Sequence, residues 1–495
     1  MILKKIIVIG GGTAGSIICK NLSSDFNVSL FEQSKNKNFP YLNRIPLLIG
    51  LLYKTSNTFI KKIDLEFNFG RKVPFFVSNV LGGASVMNGC VHVVGSKIKW
   101  DKLLRRFGLT SQEFEDSYKK LFSRASEKNK ISIKQAKKSK LDKAFFAALE
   151  DRGIPNGDVE WIDSCESGSV YNTVNRIFRS SVKNLNPYVD ALVKMNHSVE
   201  NLIVDDSLNV IGVFANGECF FADYVILCGG VIGTNTLLQN QVIRFADMSF
   251  IDLGINAGTG IQDHTNLRVN VLASQKINSL NEIGSSLVRK IWLTLNHLLG
   301  FKTLMMGTGA SSAAHLDIDG DGVVDTRIQM LNFSEIGRIG SNGELFSSSQ
   351  PGFSISITVI NPKSYGVIKH NPQGITVKPN YLSNEDDIEH LQKTLSFVIN
   401  MLESDPFKAI VESIDQFETI KHKSRDYILA NCYSGYHLIG GCSNLINDNF
   451  ELSAIKNLYV CDASIMDEHV SSNIHAAVAS LADMFSKNFI NKLKP

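Results

Sequence analysis

The sequence predicts a two-domain α/β protein. One domain is a parallel sheet wound with helices and the other has a mixed, mainly antiparallel sheet with helices. Three observations carry this. Residues 5 to 32 read strand, glycine turn, helix, strand. A second strand–glycine–helix unit, Tyr224 to Gln239, suits a return of the chain to the same sheet. From about residue 270 to 425 strands and helices mix without a βαβ rhythm, which favours a mixed sheet. At 495 residues, 44% hydrophobic and 20% charged, the chain is ordinary globular protein and long enough for both domains.

The first unit is KIIVIGGGTAGSIICKNLSSDFNVSLFE. Ile6 to Ile9 is an apolar run too short for a helix and suited to a buried strand. Gly10, Gly12 and Gly15 follow in G-x-G-x-x-G spacing, and Ala14 to Leu22 opens a helix. Gly10 permits the tight turn, Gly12 leaves room for a pyrophosphate against the backbone, and Gly15 lets helix and strand pack closely. The helix N-terminus offers free N–H groups to phosphates. Val28 to Phe31 is the next strand, and Glu32 at its end is placed to accept from ribose hydroxyls. This order of parts, more than the glycines alone, favours Rossmann-like dinucleotide binding over a plain βαβ turn. It does not separate FAD from NAD.

A net charge of +3, with no basic stripe interleaved with aromatics, gives no argument for nucleic acid. Eight cysteines without a C-x-x-C pair are expected as buried free thiols of a reducing compartment. The apolar run after Lys4 and Lys5 is too short for a signal peptide, and no stretch reaches the roughly 18 apolar residues of a membrane span. A strand starting almost at Met1 predicts use without N-terminal processing, in the cytoplasm.

Along the chain, Tyr41 to Thr55 is expected to be a loop and short helix. Val80 to Trp100 (VLGGASVMNGCVHVVGSKIKW) is the densest glycine stretch. Gly82, Gly83 and Gly89 beside Ser85 and Asn88 suit backbone passing close to a flat ligand, against the alternative of a flexible loop. The basic run 127–143 reads as a solvated helix face or surface loop, with an anionic partner or membrane surface as the alternative. Pro187 to Leu202 reads as a helix feeding a strand, with Asn186 as N-cap. Asn216-Gly217 signals a hairpin between Val210–Ala215 and Cys219–Phe221. Tyr224 to Leu227 then runs into Cys228-Gly229-Gly230 and the helix Thr234 to Gln239, and Gly258 to His264 is another glycine turn.

In the second domain, Leu287 to Phe301 reads as an apolar helix. Thr326 to Leu331, Phe353 to Val359 and Gly366 to Lys369 read as strands, and Ile388 to Leu402 as helix. Its apolar strands are expected to wall a cofactor. Asp317, Asp319, Asp321 and Asp325 mimic the opening of a calcium loop. Ile328 stands where such a loop needs its bidentate acid, so no metal is expected. Near the C-terminus, His437 precedes Gly440-Gly441 in an irregular stretch, and Tyr459 to Cys461 is a short strand ending in Asp462. Asn473 lies just before the helix Ala476 to Phe485. Each of His437 and Asn473 alone also fits a structural role, the Asn as an N-cap.

These residues resemble the glucose–methanol–choline (GMC) flavin oxidoreductases over almost the whole chain. The resemblance rests on several blocks in order: GGGTAG with Glu32, LGGASVMNG with Trp100, RSSVKN near 180, CGGVIGTNTLL, GTGIQDH, PKSYGVI, PNYL, His437, and NLYVCDAS followed by SSN. It implies bound FAD and oxidation of an alcohol by hydride transfer to the flavin, with His437 as base and Asn473 orienting the oxygen. A neutral imidazole is the natural base near neutral pH, whereas an amide takes no proton there. The implied cofactor-binding residues are Gly10, Gly12, Thr13, Ala14, Gly15, Glu32, Gly82, Gly83, Ser85, Asn88, Gly89, Gly229, Asp462, Ala463 and Asn473. Met87 stands where covalently flavinylated members carry a His, which implies non-covalent FAD. Asn235 and the run from Leu237 depart from the family's proline and Ser-Gly, Tyr365 replaces a common Arg, and Asp467 a common Pro. None of these is one of the pair, but together they leave the alcohol and the electron acceptor unassigned. Residues 1–110, 190–270 and 425–495 are expected to form the FAD-binding domain, and 111–189 and 271–424 the substrate domain. The alternatives are a flavoprotein of this fold with lyase or photodecarboxylase chemistry, and a binding protein without catalysis.

Overall fold

β1 (Lys5–Ile9) lies between two parallel neighbours, as its apolar run requires. Through α1 (Thr13–Leu22) it pairs in parallel with β2 (Asn27–Glu32). β3 (Leu192–Met195) extends the sheet beyond β2, and β4 (Tyr224–Leu227) takes the other edge of β1. α2 (Gly230–Leu238) starts four residues earlier than expected, and Leu458–Val460 completes the parallel order. In this computed structural model, residues 3–51, 58–67, 70–335, 350–372 and 374–493 are described. The Tyr41 to Thr55 segment forms short 3-10 turns at Tyr41–Arg44 and Pro46–Leu51, and its residues 52–55 lie outside the described set.

The expected hairpin at Asn216-Gly217 is present, both residues taking the positive φ that such a turn needs (52° and 82°). Two expectations fail. No helix forms at Pro187 to Leu202, because Asn186 is left-handed (φ 51°) and ends the short turn Val182–Leu185. An N-cap needs extended backbone, so the chain passes into β3 and then Val199–Val204. The basic run is not all surface either. Ile131–Gln135 is a strand with Ile131, Ser132 and Ile133 buried, and a helix starts at Lys140. The lysines hid a short apolar stretch that pairs with Tyr171–Asn175.

Among the described residues the second domain is built on a seven-stranded antiparallel sheet. Its centre is β5 (Thr265–Ala273), β6 (Ala310–Leu316), β7 (Thr326–Leu331) and β8 (Gly352–Val359). Alternation sorts the two faces. Leu267, Ile328, Ile357 and Ala314 share one register row and join a core with Ile388, Leu391 and Leu395 of the helix Glu385–Leu402. The next row is polar: Asn266, Thr358, Arg327 and His315. The apolar strands therefore cover the helix, and the polar face carries Arg327 to the functional residues. Leu287–Leu298 is the expected helix. It buries only Leu293 and His297 and leaves Leu287, Val288, Ile291, Trp292, Leu295 and Leu298 exposed. No helix among the described residues is long and apolar enough to cross a membrane.

Candidate active site

The three fingerprint glycines have different physical reasons. A β-carbon on Gly10 would meet Cys228 O at 2.5 Å, and one on Gly15 would run into Gly10 O. Both are required by the packing of β1, α1 and β4. A β-carbon on Gly12 would meet nothing within 4 Å. Gly12 is the N-cap of α1, with no side-chain cap and no acid in the first turn. Its free helix N–H groups suit an anionic phosphate, so the cradle fits a dinucleotide. Thr13 and Ala14 begin the helix there. Gly83 packs on the Gly12 backbone, Gly82 donates its N–H to Gly11 O at 2.7 Å, and Ser85 donates to Gly82 O, also at 2.7 Å. The Glu32 carboxylate accepts from Gly11 N at 2.8 Å and Ser34 N at 2.7 Å, which fixes it at the edge of this cradle.

The other expected cofactor residues lie around this centre in supporting contacts. Asn88 accepts from Arg179 Nη1 at 2.7 Å, and Gly89 O accepts from Thr308 Oγ1 at 3.0 Å. Gly229 donates to Thr234 Oγ1 at 3.1 Å. The Asp462 carboxylate is taken up by Ser464 N, Gly230 N and Thr234 Oγ1, so it ties α2 to the last strand. Ala463 O accepts from Gly440 N at 3.0 Å, just past His437.

His437 and Asn473, 36 residues apart, are brought into direct contact: Asn473 Nδ2 to His437 Nε2 is 2.8 Å. The Asn473 side chain does not cap its helix. Its Oδ1 accepts from Arg327 Nη1 at 2.9 Å. An arginine only donates, so the amide nitrogen must face His437 and donate to Nε2. On the other side, His437 Nδ1 meets His264 Nδ1 at 2.9 Å, and His264 Nε2 meets Ile360 O at 3.1 Å. A carbonyl only accepts, so His264 Nδ1 is the acceptor and His437 Nδ1 carries the hydrogen. Both ends of the chain fix the same polarity. It leaves the lone pair of His437 on Nε2, the atom facing Asn473.

The electrostatics agree. Burial first, and the Arg327 charge second, pull His437 down to about 3, so the ring is neutral at neutral pH. His437 and Asn473 are half-buried, whereas His264, Arg327 and His469 behind them are buried. The His437 backbone is held by Asp263, which accepts from His437 N at 2.7 Å and from Ser434 and Tyr381. Burial raises Asp263 to about 6. His475 turns away. Its ring meets Phe122 edge-on at 6.0 Å, and neither nitrogen has a protein partner.

Sequence reasoning missed four participants. His264 was visible only as the end of a glycine turn, and His469, its ring tilted against His264 with centroids 3.8 Å apart, had no signal at all. Arg327 lay in a strand noted for its apolar residues. Asn235 was noted only as a departure, yet its Nδ2 donates to Val231 O and Gly440 O and so holds the loop behind His437. The acidic turn binds its own backbone: Asp317 and Asp325 accept from the amides of Gly320, Gly322 and Ile318.

A Rossmann-like sheet with a phosphate cradle, joined to a wall that presents a neutral imidazole, defines a dinucleotide-dependent oxidoreductase. Two family profiles described as GMC oxidoreductase match residues 4–265 and 362–482. The chain belongs to the GMC oxidoreductase family, whose members use FAD. It is 24% identical to an oxygen-dependent choline dehydrogenase of Staphylococcus xylosus over 99% of this chain and 95% of that one. It is 23% identical to the neither inactivation nor afterpotential protein G of Drosophila melanogaster, over 96% and 88%. Among solved structures it is similar to pyridoxine 4-oxidase from Mesorbium loti, with TM-score 0.81, 17% identity and 99% of each chain covered. It is also similar to a formate oxidase, with TM-score 0.84, 16% identity and coverage of 100% and 99%.

Proposed function

We propose that the protein oxidises an alcohol with non-covalently held FAD, using His437 as the base and Asn473 to hold the substrate oxygen. One observation carries the reading: the relay from Arg327 through Asn473 and His437 to His264 leaves His437 Nε2 as a lone pair beside an amide donor. A substrate hydroxyl that takes the place of this direct hydrogen bond donates its proton to Nε2. The oxygen, gaining negative charge, accepts from Asn473 Nδ2. His264 Nδ1 keeps the ring from turning, and Asp263 keeps the backbone in place. Gly12, Gly83 and the first turn of α1 would hold the pyrophosphate, and Glu32 the ribose. FAD, when bound, supplies the hydride acceptor. The names of the relatives, a choline dehydrogenase and a pyridoxine 4-oxidase among them, support alcohol-type substrates.

The test is anaerobic bleaching of the FAD-loaded protein by a panel of alcohols. General-base catalysis is worth roughly 10² to 10⁴ in rate. His437→Ala should lower flavin reduction by about that factor and spare re-oxidation, because only the reductive step removes the hydroxyl proton. A His437→Ala protein that reduces within a few-fold of the parent, while His475→Ala does not, would transfer the role to His475.

A further inference from the structure

Arg327 is a buried cation without a counter-charge. It is 4% exposed, and no carboxylate among the described residues pairs with it. Nη1 is spent on Asn473, but Nε and Nη2 are buried with no partner. These two N–H groups lie along one edge of the guanidinium, the fork that matches the two oxygens of a carboxylate. A buried charge left unpaired is strongly unfavourable, so this edge calls for an anion.

The surroundings sharpen the choice. His315, opposite Arg327 in the sheet register, is buried and held neutral by that burial, and Gln329 Nε2, two residues along the same face, is buried without a partner. The polar face thus offers donors beside Arg327 and no acid. Arg268, on the same sheet, is different: it pairs with Glu335 and donates to Tyr433 Oη. Arg179 also keeps Nε and Nη2 unpartnered, but it binds Asn88 in the glycine-rich turn, on the cofactor side.

We propose that Arg327 binds a carboxylate of the substrate, so that the alcohol oxidised is a short-chain hydroxy acid. This rests on the alcohol-oxidising reading of His437 and names its substrate class. Arg327 Nη1 and His437 Nε2 are no more than roughly 8 Å apart, two hydrogen-bond lengths and the width of one carboxamide, and the free Nε–Nη2 edge lies on the same guanidinium. Acids with zero to two carbons between the carboxylate and the carbinol carbon match a span of that order. The hydroxyl proton goes to His437 Nε2. The carbinol hydrogen leaves with its electron pair to the FAD that the family uses, and the product is the corresponding oxo acid. A bound carboxylate also offsets the Arg327 charge that depresses His437, so an acidic substrate strengthens its own base.

The test uses the FAD-loaded full-length protein and matched pairs: glycolate against ethylene glycol, 3-hydroxypropionate against 1,3-propanediol, 4-hydroxybutyrate against 1,4-butanediol. At least one acid should reduce the flavin about 10²-fold more efficiently than its diol. Arg327→Gln should close that gap, and Arg327→Lys should restore part of it. A readout without turnover is the perturbation of the oxidised flavin spectrum by acetate, with acetamide as the neutral control. Acetate should bind at least about tenfold more weakly to Arg327→Gln, and acetamide should be indifferent. If no alcohol bleaches the flavin but acetate binding still depends on Arg327, the carboxylate site stands and the alcohol reading falls. Acids and diols reduced equally well, with Arg327→Gln affecting both alike, would overturn the proposal. Loss of FAD from Arg327→Gln, with no acetate effect in the parent, would overturn it too by assigning the arginine to the cofactor.

Discussion

Replacing Gly12 by valine isolates the cofactor cradle from the fold, because a β-carbon there meets no protein atom within 4 Å. Its backbone, φ −77° and ψ −156°, is extended and open to any residue, so the protein itself tolerates the change. The cost in apoprotein stability is a poorer N-cap, about 1 kcal/mol or less. The cofactor is affected differently. The branched side chain occupies the space in front of the first turn of α1 and separates the phosphates from its N–H groups. A hydrogen bond to a charged group contributes about 1.5 to 3 kcal/mol, so losing two weakens FAD by roughly 10² to 10⁴ in Kd. The assay is titration of apoprotein with FAD alongside thermal unfolding of the apoprotein. Gly15→Val is the contrast: its side chain runs into Gly10 O, so the apoprotein itself should unfold. The reasoning is refuted if Gly12→Val binds FAD within threefold of the parent, or if its apoprotein unfolds as Gly15→Val does.

With Met87 in the attachment position, acid precipitation of the holoprotein should release all the yellow colour to the supernatant; colour kept in the pellet would establish a covalent bond. Stability should fall on acidification from pH 6.5 toward 3. Burial holds His437 and His475 at about 3, against 6.5 for an ordinary imidazole, so in that window the unfolded chain binds more protons. Asp263, raised to about 6, and Asp325 and Asp462, also raised by burial, act oppositely, but they are three groups against these two and the more deeply depressed His264, His315 and His469. Urea unfolding should therefore show stability rising with pH by at least about 1.4 kcal/mol per unit between pH 4 and 6, and a flat profile would contradict it. Asp263→Ala should cost about 1 to 3 kcal/mol by stranding the donors of Tyr381, Ser434 and His437 N, and lower flavin reduction as well. A variant with parental stability and rate would show that Asp263 does not hold the histidine.

What could be read from the sequence was whatever is local in the chain. The cradle was legible because strand, glycine turn, helix and acid fall within 28 consecutive residues and each glycine has its own steric reason. The helix wrongly expected after Asn186 shows the limit. The same Asn-Pro pair serves an N-cap or a left-handed helix end, and only the neighbouring strand β2, which recruits Leu192–Met195, decides. His437 and Asn473 were found because their surrounding blocks carry a family pattern. Their partners were not, since Arg327 reaches the pair through the register of a sheet and His264 from the end of a turn far along the chain. In β7 the reading TRIQML gave weight to Ile328 and Met330, which are buried core. Alternation then places Arg327 on the opposite face, and nothing in a single strand says that this face turns inward and not to water. A buried charge thus becomes visible only when both faces of the sheet are known to be covered. That is why the residue on which the substrate proposal rests was one that the sequence concealed.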